Sequence, residues 1–304
     1  MRVDPSYVTN LVSALDQAQS NTQQFSSELS SGVRVTSLSS DPLAAGENVL
    51  LLNQMQQDDS FTQSSSLVTG QLQVADSALG QVTTQLTQAV SLATSANNGT
   101  MNASDRQSIS NQLAGIRSEV LSLANSSYQC QYIFAGGQTS AAPFSLSTAT
   151  SPATVTYNGD EDVNYLETPN GQRIQLNVPG DQVFNGPGAS SVFAALNNLV
   201  ADYSNPNVNT AEAVSDTTAL GTALNYVSQQ RVTVDNSLTQ LTAATTAVAS
   251  EQAQLTAAQT SLMQADVAQV STQLSLSQTQ QTALEDVIAQ IGSGTLFDKM
   301  PVGG

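Results

Sequence analysis

Histidine is absent from this chain of 304 residues, cysteine occurs once, as Cys130, and lysine once, as Lys299. Without histidine the usual general base, the Ser-His-Asp arrangement and the commonest metal ligand are all missing. One cysteine can close neither an intrachain disulfide nor a CxxC metal pair. Neither catalysis nor a cofactor or metal is therefore expected. Seven Lys and Arg stand against 24 Asp and Glu, a net charge of −17. That leaves no basic patch for nucleic acid and nothing to attract an anionic membrane surface. No apolar run of about eighteen residues exists, so no membrane insertion is expected. Met1-Arg2-Val3-Asp4-Pro5 lacks the charged and then apolar regions of a cleaved secretory signal. Only 10% of residues are charged, and the polar positions are mostly Ser, Thr, Gln and Asn. Helices of this composition draw little support from ion pairs and depend on packing.

What the sequence does have is a matching pattern at its two ends. Val8, Leu11, Leu15, Ala18, Thr22, Phe25 and Leu29 recur at alternating spacings of three and four, as do Met263, Val267, Val270, Leu274, Ser277, Gln281, Leu284, Ile288 and Ile291. An apolar stripe on a helix must be covered, and a heptad stripe is best covered by another such helix. The ends are expected to pair with each other and with further copies. Val8, Leu11, Leu15, Phe25, Leu29, Val270, Leu274, Leu284, Ile288, Ile291 and Phe297 are the candidate assembly positions.

Gly32 is placed to end the first helix in a left-handed cap. Asp41 and Pro42 supply an N-cap and a first helical residue for the next. That helix carries Val68, Leu72, Ala75, Leu79, Val82, Leu86, Ala89 and Ala93, and Asn97-Asn98-Gly99 breaks it. Ser104 or Asp105 is expected to cap a third helix with the stripe Ile109, Leu113, Ile116, Val120 and Leu123, antiparallel to the second. Residues 132–190 hold most of the prolines and short alternating runs, Thr154–Tyr157 and Arg173–Val178, with turns at Asn158-Gly159 and Asn170-Gly171. A short helix near Val192–Tyr203 follows. A long one then runs through Leu224, Val227, Val234, Leu238, Leu241, Val248, Leu255 and Leu262. The fold expected is mainly α with a small inserted β-rich domain, a long antiparallel helical bundle or coiled coil in which the N- and C-terminal helices pair. The division expected is 1–41 with 263–304 as the terminal coiled-coil assembly domain, 42–131 with 191–262 as the helical bundle, and 132–190 as the β-rich insertion.

Leu29-Ser30-Ser31-Gly32-Val33-Arg34-Val35, followed by Asp41 and Pro42, resembles a turn of the flagellin superfamily. Asn125 through Thr139, with Tyr128, Tyr132, Phe134, Gly136 and Thr139, resembles the junction-protein branch of that superfamily, which carries glycine where this chain has Cys130. Gly294-Thr295-Leu296-Phe297-Asp298 is similar to the branch's C-terminal ending. The resemblance implies a structural subunit of the bacterial flagellum, transiently cytoplasmic and then secreted through the flagellar type III apparatus. It implies a ring of subunits between hook-associated protein 1 and the flagellin filament, with an export chaperone on the C-terminal helix beforehand. A filament flagellin and a secreted adhesin with a β-rich recognition domain are the alternatives.

Weaker signals take bland readings. Asp160-Glu161-Asp162 lacks the ligand spacing of a calcium loop and reads as a solvated turn. Cys130 has no basic neighbour in sequence to activate its thiol. Gly186-Pro187-Gly188 falls short of a phosphate loop.

Overall fold

A computed structural model describes residues 5–35, 41–97, 101–150, 152–188, 191–205, 207 and 209–293. Helices α1 (Pro5–Ser31), α2 (Pro42–Ala96) and α3 (Ala103–Ala124) come first. Six short strands follow: β1 (Ser127–Tyr128), β2 (Gln131–Tyr132), β3 (Phe144–Ser147), β4 (Thr154–Tyr157), β5 (Tyr165–Glu167) and β6 (Arg173–Gln175). The chain returns to helix in α4 (Gly180–Phe184), α5 (Val192–Ser204), α6 (Thr210–Met263) and α7 (Val267–Ser293). The expected fold class holds: long helices enclose a small region of three two-stranded antiparallel sheets. The chain divides into two compact units, residues 1–56 with 251–304, and residues 57–250.

The second unit is built on the heptad of α2. Val68, Leu72, Ala75, Leu79, Val82, Leu86, Ala89 and Ala93 are all buried, the last five completely or nearly so. Leu113 and Val120 of α3, Leu196 and Leu199 of α5, and Leu220, Val227, Val234 and Leu241 of α6 join them in one core. Each such side chain contributes roughly 1.5–3 kcal/mol when fully buried. Arg231 of α6 donates from Nε and one Nη to the two carboxylate oxygens of Asp76, at 2.6 and 3.2 Å. The fork geometry fixes the pair, and the cation holds the Asp76 carboxyl below its ordinary range.

The strands share that core. Phe144 sits among Tyr157, Phe184 and Phe193 with ring centroids 5.1–5.3 Å away, and Phe134 meets Phe184 edge-on at 5.6 Å. These tilted and edge contacts suit the ring quadrupoles. β3 pairs with β4, and β5 with β6 around a turn in which Gly171 takes φ +79°. The second alternating run is shorter than expected, because only Arg173–Gln175 has a strand partner. The cap of α3 is also corrected. Asn102, rather than Ser104 or Asp105, is the N-cap, and its Oδ1 accepts from the Asp105 amide at 2.9 Å. In Asn102-Ala103-Ser104-Asp105 three residues compete for one role, and the helix begins as early as the first of them allows.

Candidate assembly site

In the first unit α1 and α7 lie antiparallel. Ala18 meets Ser277 midway along the pair, and the chain ends of α1 and α6–α7 meet near Gly32 and Ala265. Stripe residues Leu11, Leu15, Thr22 and Phe25 of α1, with Leu274, Gln281, Leu284, Ile288 and Ile291 of α7, are partly covered. Val270 is buried, as are Ala18 and Ser277. The Ser277 hydroxyl donates to the Ala18 carbonyl at 2.9 Å and lies 2.9 Å from the Thr22 hydroxyl. A small residue facing a hydroxyl lets the helices approach closely while every polar atom in that layer finds a partner.

Not every stripe position faces the partner helix. Val8 at 39% and Leu29 at 36% exposure look outward, and Val267 is 56% exposed. Glu28 is buried in the place the repeat assigns to Leu29, with the Gln24 amide donating to its carboxylate at 2.8 Å. Glu28 lies one residue before Leu29, about 100° around the helix, so the covered face leaves the stripe in the last turn of α1, where the Gly32 amide takes the Glu28 carbonyl. Phe297 and the Leu296–Asp298 ending lie outside the described residues.

The described parts of the Leu29–Pro42 motif, residues 29–35 with Asp41 and Pro42, close α1, follow it and open α2. Gly32 takes φ +69°, and its amide donates to the Glu28 carbonyl at 2.8 Å, ending α1 in the left-handed cap. Ser31 Oγ accepts from the Val33 amide, while Ser30 is exposed. The Arg34 amide donates to the Met263 carbonyl at 2.7 Å, and the Ala265 amide to the Gly32 carbonyl at 2.9 Å. This short antiparallel zip ties the turn after α1 to the turn between α6 and α7. Arg34 Nη1 donates to Asp41 at 2.9 Å and Nη2 to the Leu262 carbonyl at 3.2 Å. Asp41 meanwhile caps α2 by accepting from the Ala44 amide, with Pro42 as first helical residue. The Ala44 amide and the Arg34 guanidinium hold its carboxyl below the ordinary range.

The second motif, Asn125–Thr139, marks the passage from helix to sheet. The Asn125 side-chain amide brackets Phe144, donating to its carbonyl and accepting from its amide, both at 2.9 Å. β1 and β2 close a two-residue hairpin through Gln129 and Cys130, at φ 49° and 64°. Both residues therefore occupy the left-handed region that such a turn demands. Cys130 is exposed and free. Tyr128 lies directly over Gly70 of α2, where any Cβ would collide with its ring. A lone glycine inside a helical repeat is the sequence signal for such a close approach. The Tyr132 amide donates to the Thr139 carbonyl at 2.9 Å. Phe134 is buried in the aromatic cluster. Gly136, at φ +70°, packs against Asp160, which accepts from the Gly137 amide at 2.5 Å.

Among the described residues no group of three or more His, Cys, Asp or Glu side chains could hold a metal ion. No described helix is long and apolar enough to cross a membrane. What the geometry offers is a pair of charge-poor terminal helices beside a zipped turn, and a stiff transition into a small β region.

Residues 7–139 match the family model for the bacterial flagellin N-terminal helical region. Over that stretch, somewhat under half of its length, the chain is similar to flagellins. It is 32% identical to flagellar hook-associated protein 3 of Salmonella typhimurium (strain LT2) over 60% of this chain and 56% of that protein. The matched stretch thus spans little more than half of the Salmonella protein. Against flagellar hook-associated protein 3 of Escherichia coli (strain K12) the identity is 28%, over 75% of this chain and 76% of that one. The crystal structure of hook-associated protein-3 from Legionella pneumophila superposes with a TM-score of 0.62 over 70% of this chain and 98% of its own, at 12% identity, a likeness of fold.

Proposed function

We propose that this chain is a structural subunit of the flagellar hook–filament junction, forming a ring between hook-associated protein 1 and the flagellin filament. The observation that carries the reading is the pairing of the two chain ends, α1 on α7, through a stripe that the pair covers only in part. In this reading residues 1–41 and 263–304 form the assembly domain, 42–131 with 191–262 the bundle, and 132–190 the outward insertion. The subunit passes through the flagellar type III apparatus, with an export chaperone on the C-terminal helix beforehand. Partly covered apolar helices are a liability in a free monomer and an interface in a polymer, which supports both steps. Catalysis has no part in this role.

Electron microscopy of the purified protein after a salt jump, with and without hook-associated protein 1, tests the reading. The expected result is no long filament from the protein alone, and hook–partner ends that accept flagellin once the chain is added. Long filaments from the protein alone would make it a filament flagellin instead.

A further inference from the structure

The dipeptide Asn-Gly recurs along the chain, at Asn98-Gly99, Asn158-Gly159, Asn170-Gly171 and Asn185-Gly186. Glycine has no Cβ to shield its backbone nitrogen, so that nitrogen can reach the side-chain carbonyl of a preceding asparagine. Asn98-Gly99 lies outside the described residues, and the other pairs sit in different surroundings. Asn185 is held at both atoms of its amide: Nδ2 donates to Asp181 Oδ1 at 2.9 Å, and Oδ1 accepts from the Ser191 hydroxyl at 3.2 Å. Gly186 beside it is buried. Asn158 Nδ2 donates to the Ser145 hydroxyl at 3.1 Å, and the Asn158 backbone amide donates to the Pro143 carbonyl at 2.7 Å. Its neighbour Gly159 is hemmed in by the Tyr157 phenol and the Ala135 carbonyl. Asn170 differs from both. Its side chain is exposed and makes no hydrogen bond among the described residues. Gly171, at φ +79°, has open space where a Cβ would stand, and Gln172 and Arg173 after it are exposed as well.

We propose that Asn170-Gly171 is a site of spontaneous deamidation, at which the turn residue becomes aspartate or isoaspartate. The Gly171 nitrogen bonds to Asn170 Cγ, the Cγ–Nδ2 bond breaks, and the Gly171 amide proton leaves with Nδ2 as ammonia. Water then opens the cyclic imide at either carbonyl, which gives the two products. One bond restrains the nucleophile, from the Gly171 amide to the Thr168 carbonyl at 2.8 Å. It closes the tip of a two-stranded hairpin whose strands, β5 and β6, are three residues each. Exposed tips of so short a pair open locally at little cost. Isoaspartate lengthens the main chain by one carbon between Thr168 and Gln172. The bonds that set this turn span that stretch: the Thr168 amide donates to the Gln172 carbonyl at 2.8 Å, and the Gln172 amide to the Thr168 hydroxyl at 3.0 Å. Either product also adds a carboxylate to a chain of net charge −17. The site is independent of any role in the flagellum.

Peptide mass spectrometry of the purified full chain, aged at mildly alkaline pH with and without urea, tests this. Samples taken over time are digested, and chromatography separates the aspartate and isoaspartate forms of each peptide. In the folded chain Asn170 is expected to convert roughly tenfold or more faster than Asn158 and Asn185, because each side-chain hydrogen bond that must break first slows the attack. In urea the rates at the three positions are expected to converge, since only the fold separates them. Conversion of Asn158 or Asn185 as fast as Asn170 in the folded chain would overturn the proposal. So would an Asn170 that keeps its amide when folded, whether or not it converts in urea, because the Thr168 bond would then be holding the tip shut. A spread of rates that persists unchanged in urea would place the difference in local sequence and overturn the structural assignment.

Discussion

The two units read alike as sequence and differ as structure. Both are organised by the same three-and-four spacing of apolar residues along long helices. In residues 57–250 that spacing ends in completely buried side chains: Leu79, Leu86, Leu113, Leu196, Leu220 and Leu241. In residues 1–56 with 251–304 the corresponding stripe is half covered, and the buried apolar residues are small, namely Ala18, Val35, Ala44, Ala265 and Val270. One repeat thus serves two purposes. Where four helices and a sheet converge, it makes a core. Where two helices meet alone, it makes a surface that a further subunit can complete.

The sharpest break of this comparison is Leu284→Asp. Leu284 faces the α1–α7 groove, so a carboxylate there is expected to abolish incorporation into flagella while the unfolding transition of residues 57–250 stays in place. Blotting of detached flagella and a thermal melt check the two halves of that statement. Next in size is a matched pair of truncations. Leu86→Ala is expected to cost about 2–5 kcal/mol in denaturant unfolding, because it empties a fully enclosed site. Leu15→Ala, half covered already, is expected to cost about 1 kcal/mol or less in the free protein. Equal costs would erase the distinction between the units.

Two smaller effects sharpen the account of residues 57–250. Asp202 has one carboxylate oxygen buried without a partner, and burial followed by the nearby Asp216 carboxylate pushes its pKa from the ordinary 3.8 up to about 6. Between those values the folded protein binds more protons than the unfolded chain, so this group's contribution to stability declines as pH rises through the window. Asp202→Asn is expected to stabilise the protein at pH 7 by about 1 kcal/mol, after allowing for solvent screening of a partly exposed group, and to lose that advantage below about pH 4. Urea unfolding at the two pH values reads it. Smallest is Cys130→Gly, which relieves a left-handed residue and is expected to raise stability by about 1 kcal/mol or less in the same assay.

The long helices were legible because a heptad needs only residue class to be seen. Val68 through Ala93 read as one buried face and are one. The caps at Gly32 and Asp41 were legible for a related reason, since each rests on a single residue's special chemistry. Other features depend on partners far along the chain. Gln129 and Cys130 give no turn signal, having neither glycine nor asparagine, and the hairpin there is imposed by Tyr128 seating on Gly70 and by the strand pair itself. Glu28 gave no sign of being buried, because a carboxylate off the apolar stripe reads as a solvated position. The exposure of Leu43, Val49, Leu50 and Leu52 belongs to no repeat and emerges only in the folded chain.

Amide hydrogen exchange on the free protein tests the central claim most directly. Exchange reports local opening, and a half-covered helix pair opens more readily than an enclosed core. The amides of α1 and α7 are expected to exchange much faster than those of Leu72–Ala93, and to gain protection once the protein is built into the flagellum. Protection of α1 and α7 equal to that of Leu72–Ala93 in the free chain would contradict the account. The terminal pair would then be a finished core, with no need of a further subunit.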